Sequence, residues 1–316
     1  MRVLFAAPEN AWGGFLGMIR SKLPQHEFEA SGGFDIESVE GFEVLIPTMS
    51  TVTADIMDSG RSLQLIQQCG AGLDTVDIEA AIERNIWVAN VPTDKCGNAE
   101  SVAELGIYMM VALSRDMRGM ARSLEARKMG EPQGRALFGK TVGLVGLGGI
   151  GSALAERLRP FGVRLIGIKR TSDKQTKRAL GLEWIGGKDD LNELLQKSDY
   201  VILCLPLSGE SRNLMNWQSF SQMKEGAFLI NLSRGGLVSR EALEEALAAG
   251  IIGGAGLDVF WEEPPDPSDR IFSHNVIATP HIAGSTDVSM EGIVKVVAEN
   301  IQRVERGERP LYAKIL

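Results

Sequence analysis

Cysteine, histidine and tyrosine each occur only three times in these 316 residues. No apolar run reaches the roughly 18 residues needed to span a bilayer. Cys69, Cys96 and Cys204 stand far apart, with no CxxC and no mixed Cys/His spacing, which excludes a disulfide framework and a zinc-ligand motif, so no metal is expected. Cys69 and Cys204 close apolar runs, where free buried thiols in a reducing compartment are expected. Positive charge is also short: 33 Lys and Arg against 41 Asp and Glu leave a net charge of −8. That balance offers no electrostatic footprint for nucleic acid or for an anionic membrane surface. Met1 to Ala7 enters a strand-like run with no charged leader or cleavage site, so the expected location is the cytoplasm.

What is present is ordinary for a folded protein, with 44% hydrophobic and 23% charged residues, but glycine, at 36 residues, is abundant enough for many tight strand-to-helix turns. The length exceeds what one core organises, so two domains are expected. Short apolar runs alternate with amphipathic segments, the pattern of parallel strands joined by crossover helices, and the fold class is α/β. The first series predicts strands at Val3–Ala6, Glu43–Ile46, Leu65–Cys69 and Trp87–Ala89, with helices near Thr53–Asp58 and Ile78–Arg84. A long apolar helix, Ala99 to about Ser114, and a polar stretch with Gly130, Pro132 and Gly134 separate it from a second series. That series predicts strands at Val142–Val145, Arg164–Ile168, Tyr200–Leu203, Phe228–Asn231, Ala255–Val259 and Val276–Ala278, enough for a doubly wound sheet. A terminal amphipathic helix, about Ser289 to Arg306, follows.

The clearest local signal is Gly146-Leu-Gly148-Gly149-Ile150-Gly151, a GxGxxG turn that empties a buried strand into a helix. Gly146 permits the turn, Gly148 lets a pyrophosphate approach the backbone, and Gly151 lets helix and strand pack closely, with the helix N–H groups facing the phosphates. Glycines that merely turn a loop are the plainer explanation, but strand before and helix after favour a dinucleotide site. In such sites an acidic residue ends the second strand and grips the ribose 2′-hydroxyl. Here the strand ends Lys169-Arg170-Thr171-Ser172, two cations and two hydroxyls that suit a 2′-phosphate, so NADP(H) is favoured over NAD(H), which stays possible. An ordinary solvated basic loop is the competing explanation, since Lys174 and Lys177 follow.

Three later segments place polar residues where strands end: Asn231-Leu-Ser-Arg234-Gly-Gly, Gly256-Leu-Asp258-Val-Phe-Trp-Glu-Glu263-Pro264 and Thr279-Pro-His281-Ile-Ala-Gly284. Reduction of a 2-oxo acid needs a cation for the carboxylate, a proton donor for the carbonyl oxygen, and a carboxylate to partner that donor. With Cys-Gly70-Ala71-Gly72-Leu-Asp-Thr-Val-Asp77, Ser101-Val-Ala-Glu104, the Gly139–Gly148 segment and Leu205-Pro206-Leu207, these segments make the sequence resemble the D-isomer-specific 2-hydroxyacid dehydrogenases over nearly its whole length. The resemblance implies two doubly wound parallel-sheet domains, a discontinuous substrate domain (1–95 and 284–316) and a central Rossmann cofactor domain (96–283). It implies Arg234 on the substrate, His281 as acid/base and Glu263, rather than Glu262, as partner of His281. It further implies that the Ala71 and Gly72 amides take the substrate carboxylate, that Pro206 lines the cofactor, that Asp258 meets the nicotinamide carboxamide, and that the 98–127 region forms a homodimer.

Taken singly, Arg234 reads equally well as a surface ion-pair residue, Glu263 as a loop charge and His281 as a turn histidine; together, at consecutive strand ends, they favour catalysis. His26 and His274 lack such company. The family commonly carries a tryptophan before its Gly-Lys-Thr strand, where this chain has Lys128-Met-Gly-Glu-Pro-Gln-Gly-Arg-Ala-Leu-Phe-Gly139, so the resemblance does not fix substrate size. Formate dehydrogenases carry glutamine as the histidine's partner, so Glu263 argues against formate, and phosphoglycerate dehydrogenases often add a domain after the terminal helix. The expected activity is a glyoxylate- or hydroxypyruvate-type reductase; a dinucleotide-sensing corepressor-like protein and a phosphite dehydrogenase are the alternatives.

Overall fold

The computed structural model describes residues 1–314; Ile315 and Leu316, the last two of the 284–316 segment, lie outside the described residues. The chain divides into two compact units, Met1–Asn98 with Ser285–Leu316, and Ala99–Gly284.

The first unit is built on a five-stranded parallel sheet of β1 (Arg2–Phe5), β2 (Glu27–Ala30), β3 (Val44–Ile46), β4 (Leu65–Gln67) and β5 (Trp87–Ala89), in the order β2-β1-β3-β4-β5. Side chains alternate between faces: Val3, Phe5, Val44 and Ile46 enter one core cluster, Leu4, Leu45, Ile66 and Val88 the other. The helix Asp287–Glu305 gives Ile293, Val297 and Ile301 to the first cluster, so this unit draws its core from chain segments that precede and follow Ala99–Gly284 in the sequence. Asn300 is buried there, donating through Nδ2 to Gln67 Oε1 at 2.7 Å and accepting the Leu311 amide at 2.6 Å.

The second unit carries seven parallel strands: β6 (Thr141–Val145), β7 (Arg164–Ile168), β8 (Trp184–Gly186), β9 (Tyr200–Leu203), β10 (Ala227–Asn231), β11 (Ile252–Leu257) and β12 (Val276–Ala278). Their order, β12-β11-β10-β9-β6-β7-β8, reverses between β6 and β9, the switch point beside which doubly wound sheets bind ligands. Val142, Leu144, Tyr200 and Ile202 pack on one face, Val145, Val201 and Leu203 on the other. The expected α/β architecture of two parallel sheets is what the chain forms.

The differences lie at edges and ends. β2 and β8 were not expected from the sequence; each is a short edge strand, and β2 buries no residue fully. The helix Ala11–Lys22 was also unexpected, because Trp12, Gly13 and Gly14 hold left-handed dihedrals before the regular turns begin at Phe15. The strand expected at Ala255–Val259 runs from Ile252 to Leu257, which leaves Asp258 just beyond it. Among the described residues, no helix is long and apolar enough to cross a membrane.

Candidate active site

In the second unit the carboxyl ends of β10, β11 and β12 converge. Asn231, 1% exposed at the end of β10, donates through Nδ2 to the Arg234 carbonyl at 2.8 Å and accepts the Ser233 amide through Oδ1 at 3.1 Å. That shapes the turn from which the Arg234 side chain leaves. A Cβ at Gly235 would stand 2.0 Å from the Phe260 carbonyl oxygen, so the absence of a side chain lets the Arg234 turn abut the segment after β11.

That segment carries the adjacent pair Glu262 and Glu263. Glu262 is exposed; Glu263 Oε1 accepts the Phe260 amide at 2.9 Å, and Oε2 accepts from His281 Nδ1 at 2.6 Å. The side chains are 14% and 34% exposed respectively. Burial alone would push the Glu263 carboxyl up. The hydrogen bond and charge of His281, the Phe260 amide and the Arg234 field outweigh it and hold the group below its ordinary value. Arg234, Glu263 and His281 are therefore brought together.

His281 follows β12 in a left-handed conformation, φ 53°, its amide bonded to the Thr279 carbonyl at 3.0 Å. A non-glycine residue in that region persists only where its surroundings over-determine it. Asp258 is the fixing point: 1% exposed, it accepts the Thr279 hydroxyl at 2.6 Å and the Ile282 and Ala283 amides at 2.9 and 3.0 Å. Burial raises its pKa, against the lowering effect of those three bonds and of His281. The side-chain bonds of Asp258 thus run to the turn that carries His281. Asn231 and the bracing side of Asp258 escape sequence reasoning, and a buried polar residue closing a strand is the only signal that could have found Asn231.

The glycine turn sits at the switch point. Gly146 has φ 102°, and a Cβ there would press on the Cys204 carbonyl at 2.8 Å; a Cβ on Gly151 would meet the Gly146 oxygen at 2.1 Å. A Cβ on Gly148 meets nothing within 4 Å, and the backbone there is extended, φ −78° and ψ −158°. No internal contact demands glycine at 148, whereas a ligand lying on the backbone would. The helix Gly149–Leu158, with Gly149, Ile150 and Gly151 in its first turn, has no side-chain cap at its start, so its first amides are left for an anion. Pro206 is exposed on the loop after β9, with its carbonyl accepting the Ser211 hydroxyl at 3.0 Å.

At the end of β7, Lys169 is half-buried, while Arg170, Thr171 and Ser172 are exposed. In the first unit, Ala71 and Gly72 lie on the turn after β4, and Asn90, at the end of β5, donates to the Ala71 carbonyl at 2.6 Å. His26 is buried in that unit with Nδ1 2.9 Å from the amino terminus, and His274 caps the short 3₁₀ turn before β12; neither joins the Arg234 cluster.

The sequence profile of the D-isomer specific 2-hydroxyacid dehydrogenase NAD binding domain matches residues 107–283, more than half of the chain. The chain belongs to this family. Glyoxylate reductase of Thermococcus onnurineus is 34% identical over 313 residues, 96% of this chain and 92% of that one. D-3-Phosphoglycerate dehydrogenase of Methanocaldococcus jannaschii is 36% identical over 276 residues, 86% of this chain; the match spans 52%, about half, of that relative. Among solved structures, the apo D-lactate dehydrogenase of Escherichia coli aligns with a TM-score of 0.84 at 27% identity over 100% of both chains. As a D-2-hydroxyacid dehydrogenase, the protein is an NAD(P)-dependent oxidoreductase, and its glycine turn accords with a dinucleotide held at the switch point of the second unit.

Proposed function

We propose that the protein reduces a small 2-oxo acid of the glyoxylate or hydroxypyruvate type to the D-2-hydroxy acid, with NADPH preferred as donor. The observation that carries this reading is the 2.6 Å contact between His281 Nδ1 and Glu263 beside the Arg234 turn. Gly146, Gly148, Gly149, Ile150 and Gly151 would hold the pyrophosphate, Pro206 would line the site, and Lys169, Arg170 and Thr171 would form the ribose end. The bound nicotinamide supplies the hydride for the carbonyl carbon.

The remaining chemistry falls to the protein. The Arg234 guanidinium holds the substrate carboxylate and draws electron density toward the carbonyl oxygen. His281 donates Nδ1–H to Glu263, which leaves Nε2 as the atom that delivers a proton to that oxygen. Glu263, ionised because its pKa is lowered, is the acceptor that fixes the orientation of the imidazole. In the oxidative direction the same nitrogen receives the hydroxyl proton. The Ala71 and Gly72 amides are assigned to the carboxylate, and Asp258 to the nicotinamide carboxamide.

A panel of glyoxylate, hydroxypyruvate, pyruvate and longer 2-oxo acids, each with NADPH and NADH, tests the proposal. Turnover above roughly 1 per second on a two- or three-carbon acid is expected; cofactor binding without turnover on any acid overturns it. We also propose a homodimer through the 98–127 region, where Tyr108, Met117, Met120 and Leu124 are exposed; a monomeric mass in solution would remove that assignment.

A further inference from the structure

Two cations end β7, and they are not equivalent. Lys169 Nζ lies 2.9 Å from Asp173 Oδ2 and 3.1 Å from the Thr176 hydroxyl oxygen. Asp173 caps the helix Lys174–Leu180, its Oδ1 accepting the Thr176 amide at 2.6 Å and its Oδ2 the Thr176 hydroxyl at 2.7 Å. The Thr176 amide first, then Lys169 and the Thr176 hydroxyl, hold the Asp173 carboxyl far below the usual aspartate range, so it stays ionised. Arg170 is exposed, and among the described residues its side chain makes no hydrogen bond or ion pair.

We propose that Asp173 is a specificity-determining residue of the dinucleotide site: by neutralising Lys169 and tying its ammonium to the helix start, it leaves Arg170 to read a 2′-phosphate and keeps the preference for NADPH over NADH modest. This rests on the assignment of the β7 end to the ribose end of the site. In the common NAD arrangement an acidic residue directly ends this strand and accepts the ribose hydroxyl. Here the carboxylate comes after an intervening turn, and the bonds it makes run to Lys169 and Thr176. A 2′-phosphate dianion near the turn feels the Lys169 attraction offset by the Asp173 repulsion. The uncharged hydroxyl of NADH feels neither, so the balance appears in the ratio of the two affinities. A unit charge about 7 Å from a dianion in largely aqueous surroundings alters binding by roughly 5-fold, and salt screens it.

Dissociation constants of NADPH and NADH, measured on the full chain by fluorescence titration, supply the test, with kcat/KM ratios as a second readout. The variants are Asp173→Asn, Lys169→Met and Arg170→Met; asparagine caps a helix as well as aspartate, so the first removes charge and keeps the cap. Asp173→Asn is expected to raise the preference for NADPH about 5-fold, a gain that shrinks between about 0.05 and 0.5 M salt. Lys169→Met leaves the Asp173 charge unopposed and lowers the preference about 5-fold, Lys169→Met combined with Asp173→Asn removes both charges and leaves it within about 2-fold, and Arg170→Met lowers it by about 10-fold. An unchanged or reduced preference in Asp173→Asn, or a loss in the Lys169→Met, Asp173→Asn double variant equal to that in Arg170→Met, overturns the proposal. If Arg170→Met leaves the ratio where the wild type has it, the 2′-phosphate assignment itself falls, an outcome distinct from failure of the Asp173 variant alone.

Discussion

Within the second unit, the corner at the ends of β10 to β12 and the turn after β6 are built on opposite plans. At the corner polar groups meet protein partners: Asn231 holds the Arg234 carbonyl, Asp258 holds the His281 turn, and Glu263 joins the Phe260 amide to the imidazole. At the turn the protein withdraws, with no side chain at Gly148 and no cap on the helix that follows. A proton donor must be oriented before reaction, so its neighbours have to be internal. A surface that receives a large anion needs hydrogen-bonding groups still available when the ligand arrives.

Substitutions can break this contrast, and the largest effect belongs to the corner. His281→Gln is expected to lower kcat by about 10³-fold while leaving the cofactor dissociation constant within about 2-fold; near-normal turnover would remove His281 as the acid. Gly148→Val reverses the pattern: the backbone there accepts any residue and its Cβ meets open space, so the protein folds but binds cofactor about 30-fold more weakly. Gly151→Val, whose Cβ would meet the Gly146 oxygen at 2.1 Å, should instead destabilise the fold, and a thermal melt separates the two glycines.

Glu263→Gln comes next, with an expected loss of about 10-fold in kcat. Its stability effect is the smallest and has a fixed sign. Glu263 has a folded pKa below its ordinary value, so its contribution is present above the unfolded value, about 4.3, and is lost as pH falls through the folded one. The wild type should therefore melt roughly 2 °C above the variant at pH 7, and the gap should close below about pH 4. A gap that persists in acid would mean that packing, rather than charge, sets the difference.

The glycine turn was legible because its chemistry is a spacing: Gly146, Gly148 and Gly151 fall on one turn whatever surrounds them. The buried strands β6, β9 and β10 were equally plain, since apolar side chains fill both faces. β2 was not, for Glu27 to Ala30 offers an edge strand little to bury, and Trp12 conceals a helix whose first residues turn the wrong way. Composition does not separate Glu262 from Glu263; the resemblance chose Glu263 by its place before Pro264, and the contact with His281 is seen only in the fold. Asp173 went unnoticed beside Lys169 for the same reason, because its role lies in a contact and not in a motif.

The helix Asp287–Glu305 has a consequence for the order of assembly. Its Ile293, Val297 and Ile301 belong to the same core as Val3 and Phe5, yet the ribosome supplies them only after all of Ala99–Gly284 has emerged. The leading strands must wait through that interval with one apolar face uncovered, while the segment made in between can close on itself first. Chaperone dependence during translation should therefore concentrate on the earliest residues of the polypeptide.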